Sequence, residues 1–97
     1  MNVFAVVATQ QSAVGPIKTA IEAKYPNNFV PAGDRLWFVA GNEATVIDSA
    51  KRLGVKGMDP NATLTDVIML PVTTYWGYSS PTIWEWLRNK LQEKVVG

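Results

Sequence analysis

The run Phe29-Val30-Pro31-Ala32-Gly33-Asp34-Arg35-Leu36-Trp37-Phe38-Val39-Ala40 decides the fold. Two apolar segments flank Ala32-Gly33-Asp34, whose glycine and aspartate suit the tight turn of a β-hairpin. Pro31 has no N–H to give to a ladder, so the first strand of the pair is expected at a sheet edge. Gly41 and Asn42 end the hairpin. On each side of it the pattern reads as a helix and then a strand. Upstream, Gly15 and Pro16 open a helix in which Ile17, Ala20, Ile21 and Lys24 recur at helical spacing, ending near Tyr25 and Pro26. Before that helix, Asn2 to Ala8 is almost unbroken apolar chain of strand length, as a central strand would be. Downstream, Asn42 is placed to cap a helix over 43–53, with Val46, Ile47, Ala50 and Leu53 on one face and Gly54 as its left-handed terminator. Residues 55–62 read as a loop, and 64–72 as another apolar strand, interrupted by Asp66 and stopped by Pro71. Ser80 and Pro81 then supply the cap and first-turn pair of a last helix, with Ile83, Trp84, Leu87, Leu91 and Val95 on one stripe.

The predicted order for residues 1–97, a single domain, is β-α-β-β-α-β with an appended C-terminal helix. This is an α+β class, the ferredoxin-like split βαβ arrangement on an antiparallel four-stranded sheet. Right-handed crossovers place the first and third strands in the centre and leave the second and fourth at the edges. The two crossover helices cover one face of the sheet. Apolar residues on the other face need a second cover, either the last helix or another copy of the chain.

Composition narrows the chemistry. The 97 residues are 47% hydrophobic and 18% charged, with 9 Lys plus Arg against 8 Asp plus Glu and a net charge of +1. No summed field of either sign therefore drives the chain onto nucleic acid or a membrane, and any such binding is local. The absence of Cys and His removes disulfides, thiolate nucleophiles, imidazole bases and nearly all zinc or copper sites, and no cofactor is expected. The apolar run Val3 to Ala8 is too short for a signal-peptide core or a membrane span, so the expected location is the cytoplasm. Asn61-Ala62-Thr63 matches a glycosylation sequon, but without a secretory signal it is read as coincidence.

The eight carboxylates are spread singly, with Glu22, Asp48, Glu85 and Glu93 on the solvent faces of predicted helices. Asp66 stands out as the one acid inside an apolar strand, although edge strands carry charges that block aggregation. Thr9, Gln10, Gln11 and Ser12 follow the first central strand, a place where loops of split βαβ sheets face ligands. Tyr75, Trp76, Tyr78, Trp84 and Trp86 fall within twelve residues, with Arg35, Arg88 and Lys90 as candidate cationic neighbours. Aromatics of this kind serve packing and self-association or the stacking of nucleic-acid bases. Trp86 stands apart from the apolar stripe of the last helix and is free to dock on the sheet or on a partner. Lys51, Arg52 and Lys56 gather at the end of the second helix, where they also suit its dipole. No phosphate-binding glycine motif is present, and no nucleophilic triad forms without His or Cys unless Lys serves as base.

The segment Gly77-Tyr78-Ser79-Ser80-Pro81-Thr82-Ile83-Trp84-Glu85-Trp86-Leu87 resembles the end of the SinR-like small proteins, in which a glycine and an aromatic lead into proline and a helix carrying Trp-x-Trp. Leu36-Trp37-Phe38-Val39 is similar to the aromatic strand of the same group. That group looks related to CRISPR-associated protein 2 and the VapD-like ribonucleases, small ferredoxin-like proteins that pair through their sheets. The resemblance implies a homodimer and a link to nucleic acid. In the nuclease-like members an Asp closes the first strand. Here Ala8 and Thr9 hold that place, which argues against metal-dependent cleavage.

The leading expectation is a cytoplasmic, non-catalytic homodimer that binds a nucleic acid or protein partner and does not span a membrane. The expected binding residues are Thr9, Gln10, Gln11, Arg35, Tyr75, Trp76, Tyr78 and Trp86, with no catalytic or metal-binding residue assigned. Two other readings stay open. One is a weak metal-dependent nuclease using Asp66 with Thr9 or Gln10. The other is a small-ligand or nucleotide-binding dimer whose interface pocket is lined by Tyr75, Tyr78 and Arg35.

Overall fold

The computed structural model describes residues 1–74, 77 and 80–96, with side chains as far as 91. Along the chain run β1 (Asn2–Ala8), a 3-10 turn (Gln11–Ala13), α1 (Val14–Lys24), β2 (Phe29–Pro31), β3 (Leu36–Gly41), α2 (Val46–Leu53), β4 (Val67–Val72) and α3 (Pro81–Val96). The four strands form one antiparallel sheet in the order β2-β3-β1-β4. The first and third strands are central and the second and fourth are edges, as the apolar patterning requires. β1 is paired on both sides, with Val3 opposite both Ala40 and Val72, and Val7 opposite both Leu36 and Ile68.

Alternation along β1 divides the core in two. Phe4, Val6 and Ala8 face α1 and α2 and pack with Ile17, Ile21, Tyr25, Trp37, Val39, Leu53 and Leu64. On the other face Val3 and Ala40 meet Leu87 of α3, with Phe38, Val72, Ile83, Trp86 and Leu91 packed around them. The last helix is therefore a cover for its own sheet. It is also tied toward the β2 side, where Lys90 Nζ donates to Asn28 Oδ1 at 3.1 Å. The Val3 end of the face is covered, whereas Ile68 and Leu70 of β4 are 52% and 51% exposed.

Several local expectations are corrected. α2 starts at Val46, capped by Thr45, whose hydroxyl accepts the Asp48 N–H at 3.1 Å; Asn42 is not the cap. Such a cap is worth about 1 kcal/mol. The buried face of α2 carries Ser49 and Leu53, while Ile47 is 65% exposed. Ile47 lies about 100° around the helix from Val46, whereas Ser49 and Leu53 lie within about 60° of it on the other side, so the buried face leaves Ile47 out. Leu64 pairs with Val55 in a separate parallel bridge and is not part of β4. Asp66 has φ 55, a left-handed conformation that ends extension, so β4 begins only at Val67. On α3, Trp86 and not Trp84 belongs to the cluster on the sheet. Gly54 terminates α2 with φ 100, as expected of a left-handed cap.

Candidate functional site

Three chain segments meet where β1 ends. The Ala8 N–H donates to the Arg35 carbonyl at 2.9 Å, and the Thr9 N–H donates to the Asp66 carbonyl at 2.8 Å. The chain then turns sharply, with the Ala13 N–H donating to the Gln10 carbonyl at 3.1 Å. Arg35 Nε donates to Gln11 Oε1 at 3.2 Å across the gap. Thr9, Gln10, Gln11 and Arg35 thus share one exposed end of the sheet, with Asp66 beside them. The left-handed backbone of Asp66 holds its carbonyl on Thr9, a conformation that aspartate tolerates better than most residues. Chemistry with a two-metal centre or a carboxylate pair needs converging acids. Among the described residues, no group of three or more His, Cys, Asp or Glu side chains forms.

The remaining expected binding residues are not brought to this end. Trp86 packs near Val3 and Ala40, toward the opposite end of β1, where its role is to seat α3. Tyr75, Trp76 and Tyr78 lie outside the described residues.

Among the described residues the densest polar arrangement lies elsewhere, between the end of α1, the β3–α2 connection and α2. Tyr25 is fully buried. Its hydroxyl donates to Glu43 Oε1 at 2.7 Å and lies 2.5 Å from Ser49 Oγ. A phenol has one proton, so with that proton on the carboxylate the Ser49 hydroxyl is the donor to Tyr25. Arg52 Nη1 donates to both Glu43 oxygens at 3.1 Å, and Nη2 donates to the Lys24 carbonyl. The guanidinium also lies 4.2 Å from the centroid of the Tyr25 ring. Asn2 Nδ2 donates to the Glu43 carbonyl at 2.8 Å, linking the start of β1 to the same connection. Among the described residues no buried side-chain polar atom lacks a partner, and the arginine is fixed in place by a carboxylate, a carbonyl and a ring face.

Sequence reasoning placed Glu43 at a helix start and passed over Tyr25 and Ser49. One signal was present: Ser49 is three residues after Val46 and four before Leu53, a polar residue on an apolar stripe that must find a buried partner.

The electrostatics follow from the geometry. Burial is the largest influence on Tyr25 and, with the Glu43 carboxylate, pushes its phenol up to about 12, against the opposing bond from Ser49. Burial would raise Glu43, but the Tyr25 hydroxyl and the Arg52 guanidinium outweigh it and hold the carboxyl below its ordinary value. A carboxyl lowered in the folded state adds stability above its unfolded pKa, and that stability is lost as pH falls through the lower, folded value. Acid titration of the folded protein is therefore expected to erode stability below the ordinary glutamate range. Glu43→Gln should flatten that part of the pH profile in urea unfolding measured between pH 3 and 6; an unchanged slope would remove Glu43 from the acid response.

No family model, curated protein or solved structure matches this chain.

Proposed function

We propose that this chain is a non-catalytic binding protein of ferredoxin-like split βαβ architecture that works in the cytoplasm as a homodimer joined along β4. The observation that carries this reading is the state of that edge. β4, Val67-Ile68-Met69-Leu70-Pro71-Val72, has no charged residue, and among the described residues no strand pairs with its outer side. Edge strands are ordinarily short, charged or covered. The other edge, β2, meets that rule with three residues ending in Pro31. β4 carries such a block only near its end, at Pro71, so Val67 to Leu70 stays open, and Ile68 and Leu70 stand half exposed on the face that α3 leaves open.

A second copy is the occupant that fits an uncharged strand of this kind. Antiparallel pairing of β4 with itself about a two-fold axis is isologous and closes after two subunits, doubling the sheet. It also brings Ile68 and Leu70 of both copies together. The resemblance to the SinR-like group supports the same arrangement, and the exposed Gln10, Gln11 and Arg35 supply polar donors for a nucleic acid or protein partner. Among the described residues no helix is long and apolar enough to cross a membrane.

Ile68→Asp combined with Leu70→Asp is expected to convert a dimer to a monomer in light scattering. Because both side chains are half exposed, the thermal midpoint of the monomer should change little. A wild-type monomer at 100 μM would overturn the proposal. Purification with and without nuclease, followed by the 260/280 absorbance ratio, tests the nucleic-acid branch. Nuclease-sensitive absorbance supports that branch, and its absence leaves a protein partner.

A further inference from the structure

A cleft of about 740 Å³ lies between the outer face of α1, the last turn of α2 and the loop that follows it. Its apolar surface comes from Ala20, Leu53 and Leu64. Basic residues from two helices line it: Lys24 from the last turn of α1, and Lys51 with Arg52 from the last turn of α2. A helix dipole accounts for a basic residue at each helix end. It does not account for where these end groups go. The Ala50 carbonyl already accepts the N–H groups of Gly54 and Val55 at 3.1 Å, and the Lys24 carbonyl accepts from Arg52. Those carbonyls are satisfied without either lysine. Among the described residues the one ion pair is Arg52 with Glu43, which leaves the ammonium groups of Lys24 and Lys51 without a carboxylate. Arg52 itself is held on the cleft wall by Glu43, the Lys24 carbonyl and the Tyr25 ring, so its charge is fixed in place.

The rest of the lining sets what else a ligand carries. Thr19, Asn61 and Thr63 provide hydroxyl and amide groups, Asp59 provides one carboxylate that accepts from hydroxyls, and no aromatic ring is available for stacking among the lining residues. A smaller cleft of about 270 Å³ shares Pro16, Thr63 and Leu64 with it and is lined further by Ser12 and Asp66, a hydroxyl and an acceptor. A nucleobase would find nothing to stack on, whereas a hydroxyl-bearing group would find partners.

We propose that this cleft binds a small phosphate monoester bearing several hydroxyl groups, of the sugar-phosphate type. Lys24 and Lys51 hold the phosphate beside Arg52, and Thr19, Asn61 and Thr63 meet the hydroxyls. The proposal is independent of the β4 interface. The phosphate chemistry is shared with an RNA backbone, so the test separates the two sources.

Amide chemical shifts of the uniformly labelled protein would be followed during titration with ribose 5-phosphate, ribose, inorganic phosphate and a single-stranded RNA oligomer. The expected result is saturable movement of residues 19–24, 51–54 and 61–64 with ribose 5-phosphate, weaker movement with phosphate and none with ribose. Lys24→Ala and Lys51→Ala should each weaken binding by about tenfold, as charge-assisted hydrogen bonds to phosphate imply. Both lysines are exposed, and an unchanged thermal midpoint would show that the variants remain folded. Absence of saturation with ribose 5-phosphate, equal response to phosphate alone, retention of binding in the double variant, or saturation by RNA only would each overturn the assignment.

Discussion

Leu87→Ala is expected to lower the unfolding free energy by about 2–5 kcal/mol, the range for removing a buried leucine side chain. Leu87 is almost fully buried and lies between Val3 of β1 and Ala40 of β3, where it is the central contact between α3 and the sheet. The cavity left behind borders Trp86, Ile83 and Leu91, so α3 loses its seat as well as one side chain. Urea unfolding would measure the loss, and amide exchange in 81–91 should rise more than in β1. Ile47→Ala is the matched control. That side chain is mostly exposed, so its removal should fall within about 0.5 kcal/mol of wild type. A leucine effect no larger than that of Ile47 would mean that α3 is not held on this face.

Tyr25→Phe is expected to cost about 1–3 kcal/mol although it removes only one oxygen atom. The ring remains, and with it the packing on Ile17, Ile21 and Leu53. What is lost is the donor to Glu43 and the acceptor for the Ser49 hydroxyl, which is itself fully buried. For a domain of this size a loss of 1 kcal/mol lowers the melting temperature by about 4–8 °C. Gly41→Ala attacks the same cluster from another side. A Cβ at Gly41 would lie 2.7 Å from Glu43 Oε1 and 3.1 Å from Arg52 Nη1, so the carboxylate must shift against its partners. The two substitutions should therefore be less than additive in a double-mutant cycle. Full additivity would show that Gly41 acts through something other than the Glu43 carboxylate.

The hairpin at 29–41 was legible because its turn residues and its proline have local causes. The central position of β1 was legible because every residue from Val3 to Ala8 is apolar. Both follow from patterns that survive tertiary context. The start of α2 was not legible, since Asn42 and Thr45 are both good caps and the choice between them depends on Glu43 being drawn to Tyr25 and Arg52. Those partners are 18 and 9 residues away, beyond any local pattern. The start of β4 was misread for a related reason. Leu64 is apolar and reads as strand, but it pairs with Val55, and Asp66 turns left-handed to reach Thr9. At the candidate sites the sequence found Gln11 and Arg35, which meet. It passed over the α1–α2 cleft because lysines at helix ends already had a sufficient explanation in the dipole.

β1 precedes both of its partners in the chain. Its hydrogen-bonding groups are taken up on one side by residues 36–41 and on the other by residues 67–72. During synthesis at about 5–20 residues per second, the interval between β1 and β4 amounts to several seconds. Through that time Val3 to Ala8 is an uncharged, β-prone segment with no second neighbour, the composition that drives intermolecular strand association. A chain cut short before residue 67 would have a middle strand paired on one side only and open on the other to a strand from another molecule.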